Sequence, residues 1–566
     1  MNTFQKAYYL GIMTKVALTW HRHDCSYACR VEGHPKFMSA QEAAKRIPDG
    51  AVLATSGLAA NQRPLILYWA IRESFEQTGH PCQLTVMGTG GQGGRGKVPG
   101  TIEELGLPGL CTRLIAGHVE TYRSMLRLAE AGQLELQCLP QGVMALLFEA
   151  QGRGEDSILT KVGINTFIDP RFGRGTPVAD ATAEQLVAFD GDQLRYRVPK
   201  VDVALFNAYA ADSDANIYVT NCAMKAEIRE IARAAKRNNG LVIANVARIV
   251  DKGFDEVYLS GELVDAVVAY PKTEQSCYVR YDTHFKYMTP GDKHLMRKGI
   301  ERAQFVNYVM RITPRRKRMD QVLARLAADI FVRHTPRGAL VNVGVGLPEE
   351  VCRVLLEHDI LDHITLFTES GVIGGVPAPG IFFGAAVCPD QIVSSAEVFQ
   401  MCAERLDTAI LGVLQADSAG NVNVSKRTDK LTRYVGPGGF IDLTAAAKTI
   451  LFVTKWMEGE RLRLDRGRLR IEQEGTPKFV GRVDEITFSG ANAVEAGKKV
   501  FYVTTIGVFQ LTERGMELVQ VMPGLDIEKD ILRTTSMKIV VPEETDVPSV
   551  ETSIVSGKGF RLNLVS

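Results

Sequence analysis

The stretches IPDGAVLATSGLAANQRPLIL at 47–67 and TPRGALVNVGVGLPEEVCRVL at 335–355 run through the same series: turn, apolar strand, small-residue loop, proline, helix. A second echo pairs AADSDANIYVTN at 210–221 with QADSAGNVNVSK at 415–426. In each, an apolar run (VDVALFNAY, LDTAILGVL) leads into an Asp-Ser-x-x-Asn turn and then β-branched residues. Matched signals of this kind predict two α/β units of similar build in one chain. The strands GLVIANVARI and KTILFVTK are apolar throughout, as expected where helices cover both faces of a sheet. Helical stretches such as MKAEIREIARAAKRN and MDQVLARLAADIFVRH alternate with them, which favours open, mostly parallel sheets. The expected division is an extension over 1–36, a first α/β domain over 37–290, a linker over 291–320 and a second α/β domain over 321–566.

Composition narrows the class. The 566 residues are 45% hydrophobic and 23% charged, an ordinary globular balance. A formal net charge of +1 gives no overall bias toward nucleic acid or membranes. Ten scattered cysteines form no disulfide framework and fit reduced thiols. No apolar stretch reaches the roughly 18–20 residues that span a bilayer. The first thirty residues lack the basic, apolar, small-residue order of a secretory signal, so a cytoplasmic protein is expected. Within them His21, His23, Cys25 and Cys29 are zinc ligands by type, but paired spacings are absent. A flexible extension, or a start assigned too early, is preferred, and no metal site is assigned. The helical pattern proper begins at MSAQEAAKRI (38–47), where Ser39 and Glu42 have capping-box spacing. The basic stretches at 281–304 and 311–319, with PRRKR at 314–318, read as a solvated linker face rather than a nucleic-acid patch.

Glycines mark the candidate site. MGTGGQGGRG at 87–96 follows a strand and fits G-x-G-x-x-G, but Pro99 and Gly100 fall where a dinucleotide-binding helix would run. NVGVGLP at 342–348 lets the backbone approach a ligand beside a helix start with unpaired N–H groups. VGPGGFIDL at 435–443 supplies Gly436, Gly438 and Gly439. Between these turns, TESGVIGG at 368–375 places a single carboxylate, Glu369, where a strand ends and the chain must turn. Together they favour one shared site at the sheet edges, where open α/β sheets bind ligands.

From about residue 37 to 540 the chain resembles the glutamate-dependent CoA-transferases with fused halves, the acetate/propionate group related to succinyl-CoA:3-ketoacid CoA-transferase. The resemblance rests on PQGV (140–143), KVGINTFIDPRFGRG (161–175), VNVGVGLPEEV (341–351) and TESGVIGGVPAPG (368–380). It continues through QADSAGNVNVSK (415–426), GPGGFIDL (436–443), DEITFSG (484–490) and PGLDIEKDIL (523–532). It implies that Glu369 is the nucleophile of a ping-pong transfer between a short-chain acyl-CoA and a carboxylic acid, through a glutamyl-CoA thioester. It also implies that Gly344, Val345, Gly346, Leu347 and Pro348 contact CoA, with Gly438 and Gly439. Gln141 would face the acyl group from the other half. CoA would be substrate and covalent intermediate, no cofactor would be permanently bound, and the chain would be a dimer or tetramer of itself. The alternatives are an acyl-CoA hydrolase on the same scaffold and a silent CoA-binding homologue. Three departures bear on the acyl pocket: Ala403, Glu404 and Arg405 stand where the family has a glycine run; Thr505 and Ile506 replace a Glu-Arg pair; and 56–64 is glycine-poor. Arg405 is read as a solvent-facing helix residue, with a carboxylate clamp as the alternative.

Overall fold

The computed structural model describes residues 1–19, 21–93, 99–178, 183–277, 279–291, 293–312, 316–543 and 547–564. The end of the 87–96 glycine run, and Pro314 and Arg315 of the basic run, lie outside the described residues.

Two sheets form in succession. In the first half the strands are β1 (Val52–Thr55), β2 (Leu84–Gly88), β3 (Cys111–Ala116), β4 (Glu135–Cys138), β5 (Val203–Asp212), β6 (Leu241–Val250) and β7 (Ala266–Ala269). They lie in the order β7-β6-β5-β1-β2-β3-β4, each pair parallel. In the second half the strands are β8 (Leu340–Val343), β9 (Thr365–Phe367), β10 (Val372–Ile373), β11 (Gln391–Ile392), β12 (Thr408–Leu411), β13 (Thr449–Val453), β14 (Lys499–Val503), β15 (Gly507–Thr512) and β16 (Gly515–Val521). Their order is β11-β10-β9-β8-β12-β13-β14-β15-β16, parallel from β9 to β14 and antiparallel at both edges. In each half the chain winds outward on one side of its first strand, then crosses to the other. The switch falls between β1 and β5, and again between β8 and β12. The two echoes in the sequence sit at these same places.

The second echo has a physical basis. After β5, Asp212 Oδ1 accepts the N–H of Asp214 (2.9 Å) and of Asn216 (3.0 Å), and Asn216 Nδ2 donates to Oδ2 (3.0 Å). After β12, Asp417 accepts Ala419 N–H (3.0 Å), Asn421 N–H (3.0 Å) and Asn421 Nδ2 (3.1 Å) in the same pattern. Each asparagine oxygen then accepts a glycine N–H from a distant loop, Gly261 at 2.9 Å and Gly490 at 3.0 Å. The aspartate satisfies backbone donors that a sharp turn would otherwise leave unpaired.

Helices cover both faces of each sheet, and each sheet therefore carries two apolar layers. The halves also share core. Ala145 of α1 (Gln141–Arg153) packs in the second half, and Ile441 of α2 (Phe440–Ala446) packs in the first. Fully burying one such isoleucine is worth roughly 1.5–3 kcal/mol.

Two segments differ from their expectation. Residues 1–36, expected as a flexible extension, carry a helix over Thr3–Thr19 that buries Tyr9, Met13 and Val16. Tyr9 and Met13 pack beside Phe285, Tyr287 and Phe382. The 291–320 segment, expected as a solvated linker, carries a helix over Met296–Val309 that buries Gly299, Ala303 and Val306. The spacing of those three residues, four then three, already put them on one helix face. The capping box at Ser39 and Glu42 forms as expected. No helix among the described residues is long and apolar enough to cross a membrane.

Asp417 is itself buried, and replacing it with alanine strips four donors of their acceptor: Ala419 N–H, Asn421 N–H, Asn421 Nδ2 and, at 3.4 Å, Val483 N–H. Asp417→Ala is expected to lower stability by about 2 kcal/mol, read as a lower urea midpoint. An unchanged midpoint would show that the turn closes without the carboxylate.

Candidate active site

The carboxyl ends of the two sheets face one cleft of about 680 Å³. Its walls come from the loops that follow β1 (Leu58–Arg63), β2 (Gly91, Gly93), β3 (His118–Thr121) and β4 (Gln141). From the other side come the loops after β8 (Gly344, Val345, Leu347 and Pro348), β9 (Glu369), β12 (Leu411–Leu414) and β13 (Thr454), with the turn Val435–Gly439. Strands of a parallel sheet end together, so residues remote in sequence converge there.

Glu369 follows β9 by two residues, and its neighbours are pinned. Thr368 Oγ1 donates to Gly384 O at 2.7 Å, and Ser370 Oγ donates to the same oxygen. Gly371 takes a positive φ of 92°, and a Cβ there would lie 2.1 Å from Val393 O. The turn is therefore closed to any larger residue. Between these anchors the Glu369 carboxylate has no hydrogen-bond partner among the described residues. Burial alone pushes its carboxyl up to about 7.

Gly439 lies against that carboxyl. A Cβ on Gly439 would stand 3.1 Å from Glu369 Cγ and 3.2 Å from Cδ and Oε1. Its φ of −84° is ordinary, so glycine is needed here for space and not for conformation. Gly439 begins α2, and its N–H has no acceptor within the chain among the described residues. Gly438, at φ 55°, is committed elsewhere: its N–H donates to Gly117 O at 2.8 Å. Gln141 is 2% exposed, and its side-chain Nε2 has no partner among the described residues. Its backbone N–H donates to Gly438 O at 2.9 Å, which ties the glutamine to the glycine turn across the halves. Two unpaired donors and one unpaired carboxylate thus belong to residues that line the same cleft.

Asp442 fixes this geometry. From α2 it accepts the N–H of Gly142 (3.0 Å) and of Val143 (3.1 Å), capping α1 of the other half. Burial, and then the Glu369 carboxylate, push the Asp442 carboxyl up to about 7 against the pull of those two N–H groups.

The predicted coenzyme loop divides. Gly344, Val345, Leu347 and Pro348 line the cleft, and Gly346 does not. Gly346 makes the turn at φ 94° into the helix Leu347–Glu357, and its carbonyl accepts Arg316 Nη2 at 2.8 Å. Arg316, from the basic run, is thereby docked onto the loop. Of the departures, Ala403, Glu404 and Arg405 are exposed at the end of the helix Ser395–Arg405, away from the cleft. The solvent-facing reading of Arg405 holds. Thr505 donates to Glu460 Oε1 at 2.7 Å and Ile506 is buried, both outside the cleft. Near the N-terminus, His23 Nε2 pairs with Glu73 at 2.5 Å beside Cys25, and those three groups lie within 4.8 Å of one another. His21 and Cys29 are not part of that group.

Sequence reasoning missed Arg63, His118, Arg427 and Lys478, all of which line the cleft. Arg427 pairs with Glu120 at 2.8 Å. Lys478 Nζ donates to Thr454 Oγ1 at 2.6 Å, and burial pulls its ammonium down to about 8. Arg63 sits inside the stretch that revealed the fold, and Arg427 directly follows an echo motif. Position after a strand end was the available signal for both.

Residues 37–270 match the family model described as Coenzyme A transferase. Over 543 residues the chain is 34% identical to the caffeate CoA-transferase of Acetobacterium woodii, covering 94% of this chain and 99% of that protein. It is 31% identical over 545 residues to the acetate CoA-transferase YdiF of Escherichia coli K12, covering 94% and 98%. A crystal structure of the acyl-CoA transferase YdiF from E. coli O157:H7, a thioester complex with CoA, superposes with a TM-score of 0.79 at 29% identity. That superposition covers 92% of this chain and 95% of YdiF.

The raised Glu369 carboxyl has a consequence for stability. The folded state holds the proton more tightly than the usual carboxyl at 4.5. The stabilising contribution is therefore complete below about 4.5 and is lost as pH rises through about 7. Glu369→Gln removes the charge at constant shape. It is expected to stabilise the fold by up to about 3 kcal/mol at pH 8 and by little at pH 4.5, measured by urea unfolding at both. A gain independent of pH would show that the carboxylate is not strained by burial.

Proposed function

The chain belongs to the coenzyme A transferase family, and from that premise we propose that Glu369 is the nucleophile of a ping-pong exchange. The Glu369 carboxylate attacks the carbonyl of a short-chain acyl-CoA, and the thioester C–S bond breaks. The products are an acyl-glutamyl anhydride and CoA thiolate. The thiolate attacks the glutamyl carbonyl, releasing the first acid and leaving glutamyl-CoA thioester. A second carboxylate reverses both steps and leaves as acyl-CoA. One thioester replaces another, so the exchange needs no external energy source.

One observation carries this reading: an unpartnered, burial-strained carboxylate shares a cleft with two unpartnered donors. A carboxylate is a weak nucleophile in water. Losing its hydration raises its reactivity and shifts its pKa, as found for Glu369. Each attack creates an oxyanion, and the Gln141 Nε2 and Gly439 N–H groups are the candidate donors to it. Loss of one such donor typically costs about 3 kcal/mol. Gly344, Val345, Leu347 and Pro348, with Gly438 as the wall of the glycine turn, are proposed to contact CoA. The YdiF structure, a thioester complex with CoA, supports the intermediate. The relatives named for caffeate and acetate support a carboxylic acid as acceptor.

Incubation with acetyl-CoA, followed by peptide mass spectrometry, is expected to place a CoA adduct on the peptide containing residues 368–375. Glu369→Ala should lose both the adduct and acyl exchange while folding normally; undiminished exchange would remove Glu369 from the mechanism. Gln141→Ala is expected to lower kcat by about 100-fold. Since the ionised form attacks, kcat/KM should rise with pH through an apparent pKa near 7, falling off below it. CoA release that proceeds equally well without an added acid would mean hydrolysis instead of transfer.

A further inference from the structure

His23, Cys25 and Glu73 bring a ring nitrogen, a thiol and a carboxylate within 4.8 Å of one another, and none of them lines the cleft. The loop that carries the first two is held in place. Lys272 Nζ donates to Arg22 O at 2.8 Å, and Gln41 N–H donates to Cys25 O at 2.9 Å. Between them Asp24 Oδ1 accepts the Ser26 N–H at 3.0 Å and closes the turn. Glu73 comes from the helix Leu65–Thr78, one turn after Trp69, whose ring stacks on the His23 imidazole at 3.9 Å. Loop and stack together aim His23 Nε2 at the carboxylate.

The other ring nitrogen restricts what can lie between the two. His23 Nδ1 is 3.2 Å from His21 O, and a carbonyl only accepts, so Nδ1 carries a hydrogen. A neutral ring in that tautomer points the Nε2 lone pair at Glu73 Oε1, 2.5 Å away, acceptor against acceptor. A cation has to be shared there, either a proton or a metal ion. An imidazole whose Nδ1–H is tied to a carbonyl is also the form that offers Nε2 to metals. Cys25 Sγ, 5% exposed, adds a soft donor, and its hydrogen bond to Ile66 O spans 4.0 Å.

We propose that His23 Nε2, Cys25 Sγ and a Glu73 oxygen form a binding site for a divalent ion of the zinc class, with water as the fourth ligand. Zinc bonds of about 2.0–2.3 Å set tetrahedral ligand atoms roughly 3.3–3.6 Å apart, so shifts of about 1 Å convert the present cluster into a bound one. The side chains of Glu73 and His23 are 36% and 17% exposed, which gives the ion an entry path and its water a place. Binding displaces the proton shared by His23 and Glu73 and the proton of the thiol. The two protons leave with the charge that the ion brings, so the group stays neutral. Magnesium and calcium prefer shells of oxygen and are disfavoured by the thiolate and imidazole. His23 and Cys25 precede residue 37, where the family match begins, and Glu73 lies inside it. The ion therefore rivets the N-terminal segment to the shared fold. Paired spacing is missing from the sequence because the third ligand comes from a helix fifty residues away.

The test uses the full-length protein, kept reduced, stripped with EDTA and then given Zn2+. After gel filtration the unmodified chain should retain about one equivalent of zinc more than Cys25→Ser. Co2+ in place of zinc should produce a near-ultraviolet thiolate-to-cobalt absorption band that Cys25→Ser lacks. Glu73→Gln and His23→Gln should each weaken zinc binding by at least about 10- to 100-fold. Glu73→Gln alters a partly exposed helix residue at constant shape, so it decides the question if Cys25→Ser fails to fold, as judged by circular dichroism. The site is overturned if the unmodified chain retains no more zinc than these folded variants, or if cobalt gives no thiolate band. The cation shared by His23 and Glu73 would then be a proton.

Discussion

The site depends on the Asp442 carboxylate. It belongs to one half of the chain and caps a helix of the other, at 3.0 and 3.1 Å from two backbone N–H groups. Gln141 begins that helix, and Gly439 begins the helix that carries Asp442. One buried contact therefore sets the distance between a side-chain donor from the first sheet and a backbone donor from the second. Glu369 is fixed independently, by hydroxyls gripping Gly384, so the geometry of the proposed attack is the meeting of two systems held in place. Preorganisation of this sort lets donors act without reorganising when charge develops.

The two halves are variations on one plan, and the differences show how the work is divided. Both wind the same way and both close a β-turn with an aspartate and an asparagine. The second half carries the carboxylate and the glycine turn; the first contributes Gln141 and Arg63 from its strand ends. Neither half alone encloses the cleft. The exchange of Ala145 and Ile441 between the two cores is the apolar counterpart of the Asp442 cap.

What the sequence made legible was whatever the backbone constrains. The parallel strands were visible because burial on both faces removes polar alternation, as in the ten buried residues of β5. Glu369, Gly344 and Gly439 stood out because tight turns and close approach demand glycine around them, although family resemblance was needed to give the acid a role. The missed residues obey the opposite logic. Arg63, His118 and Lys478 are charged or polar types that ordinarily face water, and nothing in their residue type distinguishes one that lines a cleft. The helix at Met296–Val309 was legible in its apolar spacing but was masked by surrounding basic residues. Arg405, suspicious by its position in a family motif, turned out to sit in solvent.

Residues from each half embedded in the core of the other make the molecule poorly suited to opening like a hinged shell. Access to the carboxylate must then be governed by the width of a fixed mouth and by small movements of the glycine turns. On the proposed exchange Glu369 carries one group at a time, so the departing acid has to clear it before the next one reacts. Turnover in such an architecture would be paced by this queue, and crowding with a bulky, slowly leaving acid should throttle the enzyme even when its chemistry is fast.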